Sequence, residues 1–286
     1  MNTTKDDRVF AFTQIVAASV IVVLILAFIA LYIFPDQTNV DFAWTILPRT
    51  SALFMGAGYT AGAYFFARLI LDRKWHRVQA GFLPISAFTI CMLAATFLHW
   101  DRFHHGALNF YLWTIIYILT PLLVPFVRWR NQKTGSEALE ENDLRFSRFV
   151  RIALQIIGVG GVLIFVVVFI QPSLLISTAP WKLTSLTARV FAGWSILTLC
   201  SLASIGLEGR WSATRTLMES AMVGITLTLL ALPRMWADFN STNIMTYVLV
   251  GGLLLTLVAF IVIHLRLDRL SRQAQSKELG AQSWTR

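Results

Sequence analysis

The sequence predicts an all-α integral membrane protein, with eight transmembrane helices arranged as two parallel four-helix repeats. Three observations carry that expectation. Of the 286 residues 56% are hydrophobic and 14% charged, with a mean hydropathy of +0.65, which is too apolar for a soluble domain of this length. Stretches of about 20 residues recur almost without charge, the length a helix needs to cross ~30 Å of hydrocarbon, and the period-2 alternation of a barrel is absent. The chain also reads as though written twice. Phe34-Pro35 to Arg130 can be laid over Gln171-Pro172 to Arg266 at an offset of 136 to 137 residues, so that Pro35 falls on Pro172, Trp44 on Trp181, Trp75 on Trp211 and Trp100 on Trp236.

The elements follow in order. A first span at 9–34 is longer than the apolar region of a cleavable leader and is expected to be retained. A segment from Asp36 to Thr50 comes next, read as an interfacial helix anchored by Trp44, with Arg49 at the start of the second span. That span, 50–71, carries a small-residue ridge of Gly56, Gly58 and Gly62 with neighbouring alanines, suited to close helix approach. The third span, 79–99, runs into His99-Trp100-Asp101-Arg102-Phe103-His104-His105, and the fourth, 107–127, contains Pro121 and Pro125, which are expected to kink it.

The first repeat thus occupies 1–130, and a linker at 131–147 follows, basic at its flanks with Glu137, Glu140, Glu141 and Asp143 between. The second repeat, 148–268, holds spans at 149–170, 187–207, 212–233 and 243–265. Its own Trp181 and Arg189 sit where the first repeat has Trp44 and, about one turn apart, Arg49. A polar tail, 269–286, is expected to fray. Trp75, Trp100, Trp129, Trp211 and Trp236 fall near predicted interfaces and read mostly as belt residues. Cys91 and Cys200 lie mid-span at non-equivalent positions and read as packing residues.

Four spans per repeat is an even number, so both repeats enter from the same side and the repeat axis runs along the membrane normal. All 24 Lys and Arg except Arg49, Arg102, Lys182, Arg189 and Arg234 fall on one side. The positive-inside rule makes that side cytoplasmic, giving cytoplasmic termini in a bacterial inner membrane. The net charge of +9 sits beside the membrane, which points to the lipid bilayer rather than nucleic acid as partner. A membrane-protein partner or a second copy fits the short loops equally.

The sharpest polar cluster ends the third span. His99, Asp101, His104 and His105 are ligand types, and converging three of them would suit zinc or copper, although their spacing matches no defined metal signature. The second repeat keeps the Trp and Phe frame there but places Met235 on His99, Ala237 on Asp101 and Asp238 on Arg102. Arg49, Arg102, Arg189 and Arg234, set against Asp101 and Asp238, describe a positive vestibule suited to a small polar or anionic solute or a lipid head group. Within the membrane, Glu219 stands one turn from Arg215 and is the candidate for proton coupling, with pairing to Arg215 its structural alternative.

There is no Walker motif, dinucleotide loop, serine-histidine set or paired intramembrane carboxylate, so an enzyme is not favoured. The paired four-helix outline resembles haem A synthases, a resemblance that would imply histidine pairs inside the bundles. This chain departs from it, with His99 the histidine nearest a span in the first half and His264 at the inner end of the second. No cofactor is therefore predicted, with divalent metal and haem as the alternatives. The leading expectation is a transporter or permease, ahead of a non-catalytic membrane subunit and a membrane enzyme or redox protein.

Overall fold

The computed structural model describes residues 6–133 and 143–283, with side chains to residue 273. Glu137, Glu140 and Glu141 of the linker lie outside the described residues. Among these residues there are no strands, only two isolated bridges, and the chain is otherwise helix and turn. Eight long helices are labelled here α1 (Ala11–Phe28, extended by a π turn at Ile29–Ile33), α2 (Arg49–Asp72), α3 (Phe82–Leu98), α4 (Leu108–Asn131), α5 (Arg148–Ile170), α6 (Ser185–Glu208), α7 (Trp211–Leu230) and α8 (Ile244–Ser283). Helix is the solution lipid enforces, because hydrocarbon offers no partner to free backbone N–H and C=O groups.

Among the described residues six helices are long and apolar enough to cross a membrane: α1, α3, α4, α5, α6 and α8. A seventh arises if α7 is taken together with the segment Leu232–Asp238, to which it is bent by 51°. Eight spans were expected. The helix not counted is α2, which is 24 residues long but diluted by the glycines, threonines and tyrosines of its small-residue ridge. Much of the helix faces protein: Thr50, Gly56 and Tyr59 are buried together with Ala52, Leu53, Met55 and Ala57.

The ends of the helices are set by local chemistry. Both α2 and α6 stop at a left-handed residue, Arg73 (φ 53°) and Gly209 (φ 63°), whose N–H reaches back to Leu69 O and Ile205 O. Ser147 caps α5 by accepting from Val150 N, and Thr184 caps α6 by accepting from Thr187 N. The polar tail continues α8 as helix to Ser283 instead of fraying at its start, since Lys, Arg, Gln and Ala dominate it and all are good helix formers. Pro121 and Pro125 lie within α4, which runs as one helix through both.

Packing is pairwise. α1 lies on α2, α5 on α6, α3 on α4 and α7 on α8, while α2 also packs on α7 and α6 on α3. α5 and α6 approach backbone to backbone: a Cβ added at Gly158 would lie 2.5 Å from Ala203 N and one at Gly206 2.7 Å from Arg151 O. At one end, hereafter the basic end, Val9 N donates to Arg73 O, Trp75 N to Asp7 O, Phe146 N to Gly209 O and Trp211 N to Leu144 O. At the opposite end His104 N donates to Ala43 O and Asn240 N to Pro180 O.

The tryptophans separate into two groups. Trp44 (2% exposed) and Trp181 (9%) are core residues, not interfacial anchors, because the segments that carry them fold back over the bundle. Trp44 packs edge-on against Phe42 and Trp113, and Trp181 stacks on Phe54 while its Nε1 donates to Ser51 Oγ at 2.9 Å. Trp75 and Trp211 are likewise buried, whereas Trp100, Trp129 and Trp236 are exposed as a belt requires.

Candidate functional site

The residues expected to line a vestibule at the opposite end are placed in separate contacts. Arg189, on the second turn of α6, donates from Nε to Phe169 O at 3.0 Å and from Nη2 to Ile170 O at 3.3 Å, so it closes the last carbonyls of α5. Its Nη1 lies 2.7 Å from His99 Nε2 at the end of α3. A guanidinium can only donate, so His99 Nε2 is the acceptor and the imidazole carries its hydrogen on Nδ1. Burial first, and the Arg189 charge second, push the His99 pKa below its ordinary value, with Arg102 acting in the same direction and Asp101 opposing.

Arg234 does for α1 what Arg189 does for α5. It donates from Nη1 to Tyr32 O at 2.6 Å and from Nη2 to Ile33 O at 3.2 Å. A cation at a helix C-terminus also meets the negative end of the helix dipole. Asp238 accepts from Thr50 N at 3.2 Å and Thr50 Oγ1 at 2.6 Å, capping the start of α2 from across the chain. Arg49 lies 4.0 Å from Asp36, and Asp101 pairs with Arg102 at 3.2 Å with both side chains largely in solvent.

The histidine run is drawn apart. His104 spans Phe42 O at 3.2 Å and Thr45 Oγ1 at 3.0 Å, and His105 Nε2 meets Trp100 O at 2.8 Å. Among the described residues no group of three His, Cys, Asp or Glu side chains is placed to hold a metal ion.

The densest polar cluster instead surrounds Glu219, near the basic end where α2, α7 and α8 meet. Tyr64 donates its hydroxyl to Glu219 Oε2 at 2.7 Å, and Arg215 Nε donates to Oε1 at 2.9 Å. Arg68 Nε stands 3.7 Å from Oε2 and His264 Nε2 3.8 Å from Oε1. A second layer extends it: Arg215 and His264 reach Asp268 at 3.2 and 3.5 Å, Trp211 Nε1 donates to Asp268 at 3.2 Å, and Arg68 pairs with Asp72 at 3.0 Å. The Glu219 side chain is 11% exposed. Burying this carboxylate is tolerable only because a hydroxyl and a guanidinium hydrogen-bond it directly. Neighbouring Ser220 donates to Ala61 O at 2.6 Å, fastening the same helix pair.

The pairing of Glu219 with Arg215 is legible in the sequence; the other members are not named by it. Tyr64, Arg68, His264 and Asp268 were available as a signal, since Arg68/Asp72 and His264/Asp268 repeat the four-residue spacing of Arg215/Glu219. What sequence spacing lacks is the pairing of α2 with α7 that brings them together. No protein-family model, characterised protein or solved structure shows a significant match to this chain.

Proposed function

We propose that the chain is a permease-like membrane protein of eight spans, α2 and α7 included, whose two pseudo-symmetric four-helix halves move a small polar or anionic solute or lipid-like molecule. Glu219 is the group that couples this movement to protons. The halves are α1–α4 and α5–α8, with the termini and the basic end on the cytoplasmic side of a bacterial inner membrane. Support for the duplication comes from contacts that recur at the sequence offset. Trp75 N to Asp7 O corresponds to Trp211 N to Leu144 O, Arg73 to Gly209 as left-handed terminators, and His104 N to Ala43 O to Asn240 N to Pro180 O. Helix pairing follows the same exchange: α2 on α7 corresponds to α6 on α3. Each half therefore grips the other through its second and third helices.

The observation that carries the coupling is that Glu219 is buried in one of these two inter-half contacts, held by side chains from both sides. With Glu219 charged, Tyr64 and Arg68 tie α2 to α7, while Arg215 holds the carboxylate from its own helix. Protonation removes the attraction of Arg68 and weakens the Tyr64 contact, freeing the halves to rock, which is the motion alternating access needs. Reconstitution into vesicles enclosing a pH-sensitive dye tests this. Small carboxylates, phosphate and amino acids supplied outside should include at least one whose entry moves protons, and Glu219→Gln should abolish the proton movement in protein that still folds. Vesicles that take up none of these and carry no protons would overturn the reading.

One observation favours a membrane subunit instead. No residue in the apolar window of α8 is buried, and a Cβ added at Gly251 or Gly252 would meet no atom within 4 Å. A second copy or partner on that face would be recovered by cross-linking from Gly251→Cys in intact membranes.

A further inference from the structure

The two inter-half contacts differ at the basic end in a way that defines a second site, and the argument rests on the pseudo-symmetric reading above. At the offset of 136 residues the Glu219 cluster maps position by position onto the region where α3, α4 and α6 meet. Glu219 corresponds to Leu83, Tyr64 to Cys200, Arg68 to Ser204, His264 to Arg128 and Asp268 to Gln132. The carboxylates of Glu219 and Asp268 are gone, that of Asp72 is kept as Glu208, and a cation remains at Arg128.

Arg128 lies on the last turns of α4, with its Nε buried and without a hydrogen-bond partner. It is close enough to Cys200 for its charge to act on that thiol. Ser204, one helical turn from Cys200 on the same helix, is 4% exposed, and its Oγ is also buried without a partner. No carboxylate among the described residues pairs with Arg128. The nearby acid at this level, Glu208, is engaged by Gln79 at 3.1 Å and Arg210 at 3.5 Å. Leu83, where the other contact has its buried carboxylate, is 41% exposed. A partly buried guanidinium and a buried hydroxyl that both lack acceptors form a donor set for an anion with several oxygens.

We propose that Arg128 and Ser204, beside Leu83, bind a phosphate-type anion, which stands where the Glu219 carboxylate stands in the other half. Its source is either a phospholipid headgroup or free phosphate. A phosphate accepts at several oxygens at once, so it can serve both Arg128 and the Ser204 hydroxyl, which a chloride ion does less well.

The test is thermal unfolding of the full chain in maltoside detergent, which carries no phosphate. Inorganic phosphate and phosphatidylglycerol are titrated separately, with chloride matched for ionic strength. We expect a saturable rise in Tm of several degrees, lost in Arg128→Gln, reduced in Ser204→Ala and kept in Arg130→Gln, an exposed arginine that packs over Phe10 and Phe12. A rise with phosphate identifies free anion, and a rise with phosphatidylglycerol alone identifies a lipid headgroup. Should Arg128→Gln fail to fold, Leu83→Glu supplies an internal carboxylate and should raise Tm without added anion while abolishing the response. No saturable rise with either probe, or an undiminished rise in Arg128→Gln or Leu83→Glu, would overturn the site. Since the readout is stability, a failed flux experiment leaves this result unaffected.

Discussion

On the proposed duplication the α2–α7 and α3–α6 contacts join equivalent helices, yet their main polar clusters sit at different ends. In α2–α7 the basic end holds the Glu219 cluster, and at the opposite end Leu53 and Met235 are fully buried in one cluster with Trp181 and Phe239, with Thr50 bonded to Asp238 at its rim. In α3–α6 the opposite end carries Arg189 against His99, residues that correspond to Leu53 and Met235, while the basic end has Leu83, Cys200 and Ser204. The lock among the helices themselves thus sits at a different end in each contact, and single bridges, Thr50–Asp238 and Gln79–Glu208, close the remaining ends. A polar contact in a low-dielectric setting fixes register, since sliding it by a turn would leave its groups unpaired. Apolar packing is more forgiving of small shifts. Locks on a diagonal would suit the rocking proposed for the two halves.

The comparison breaks most visibly at Glu219. Glu219→Leu makes the α2–α7 contact resemble α3–α6 at the basic end, and leaves Arg215 and Tyr64 without their buried partner. We expect a loss of about 3–5 kcal/mol, the cost of removing one member of a buried pair. Chemical unfolding in detergent micelles measures it, and a change under about 1 kcal/mol would mean that the cluster is wet and weak, as exposed pairs are.

The opposite lock can be converted in the same way. Arg189→Leu alone frees His99 Nε2 and the Phe169 and Ile170 carbonyls, and should cost about 1.5–3 kcal/mol, the range for hydrogen bonds to charged groups. His99→Met added to it copies the Leu53/Met235 pair and should recover part of the loss. The double-mutant cycle should show a coupling of about 1 kcal/mol. Strict additivity would show that Arg189 acts only as the cap of α5.

The helix starts provide a smaller contrast. α6 caps itself through Thr184, whereas α2 begins after Pro48 and borrows Asp238. This accounts for the change from Arg102 to Asp238 between the halves, because an arginine could not accept from Thr50. Asp238→Ala should cost about 1 kcal/mol, with Thr184→Ala costing a similar amount at the other helix.

These contrasts also mark what the sequence could and could not disclose. Helix positions were legible because apolar length and the charges that bound it are local properties; the stretch read at 50–71 became α2 at Arg49–Asp72. The burial of Trp44 and Trp181 was not, because a tryptophan in a loop looks the same whether the loop lies in the interface or folds over the bundle. The cationic vestibule was read from net sign alone, and sign does not reveal that Arg189 and Arg234 point at backbone carbonyls. Those two arginines reach equivalent carbonyl pairs from non-equivalent positions, one on α6 and one beyond α7, so aligning the halves conceals their common role. The Glu219 cluster draws on three helices, and only its four-residue spacings were visible beforehand.

The smallest effect separates the two locks by pH. His99 lies just past α3, and its pKa is lowered in the folded protein by burial and then by Arg189. The folded state therefore holds fewer protons on this residue than the unfolded chain does. Its contribution to stability is complete above the ordinary histidine value of about 6.5 and is lost as pH falls from there through the lower folded value. Protonation would set an imidazolium against the Arg189 guanidinium with only Asp101 opposing, so the α3–α6 lock should loosen in mild acid. Tm should decline across that window, and His99→Met should flatten the decline. A slope unchanged by His99→Met would show that the His99–Arg189 contact does not set the acid response.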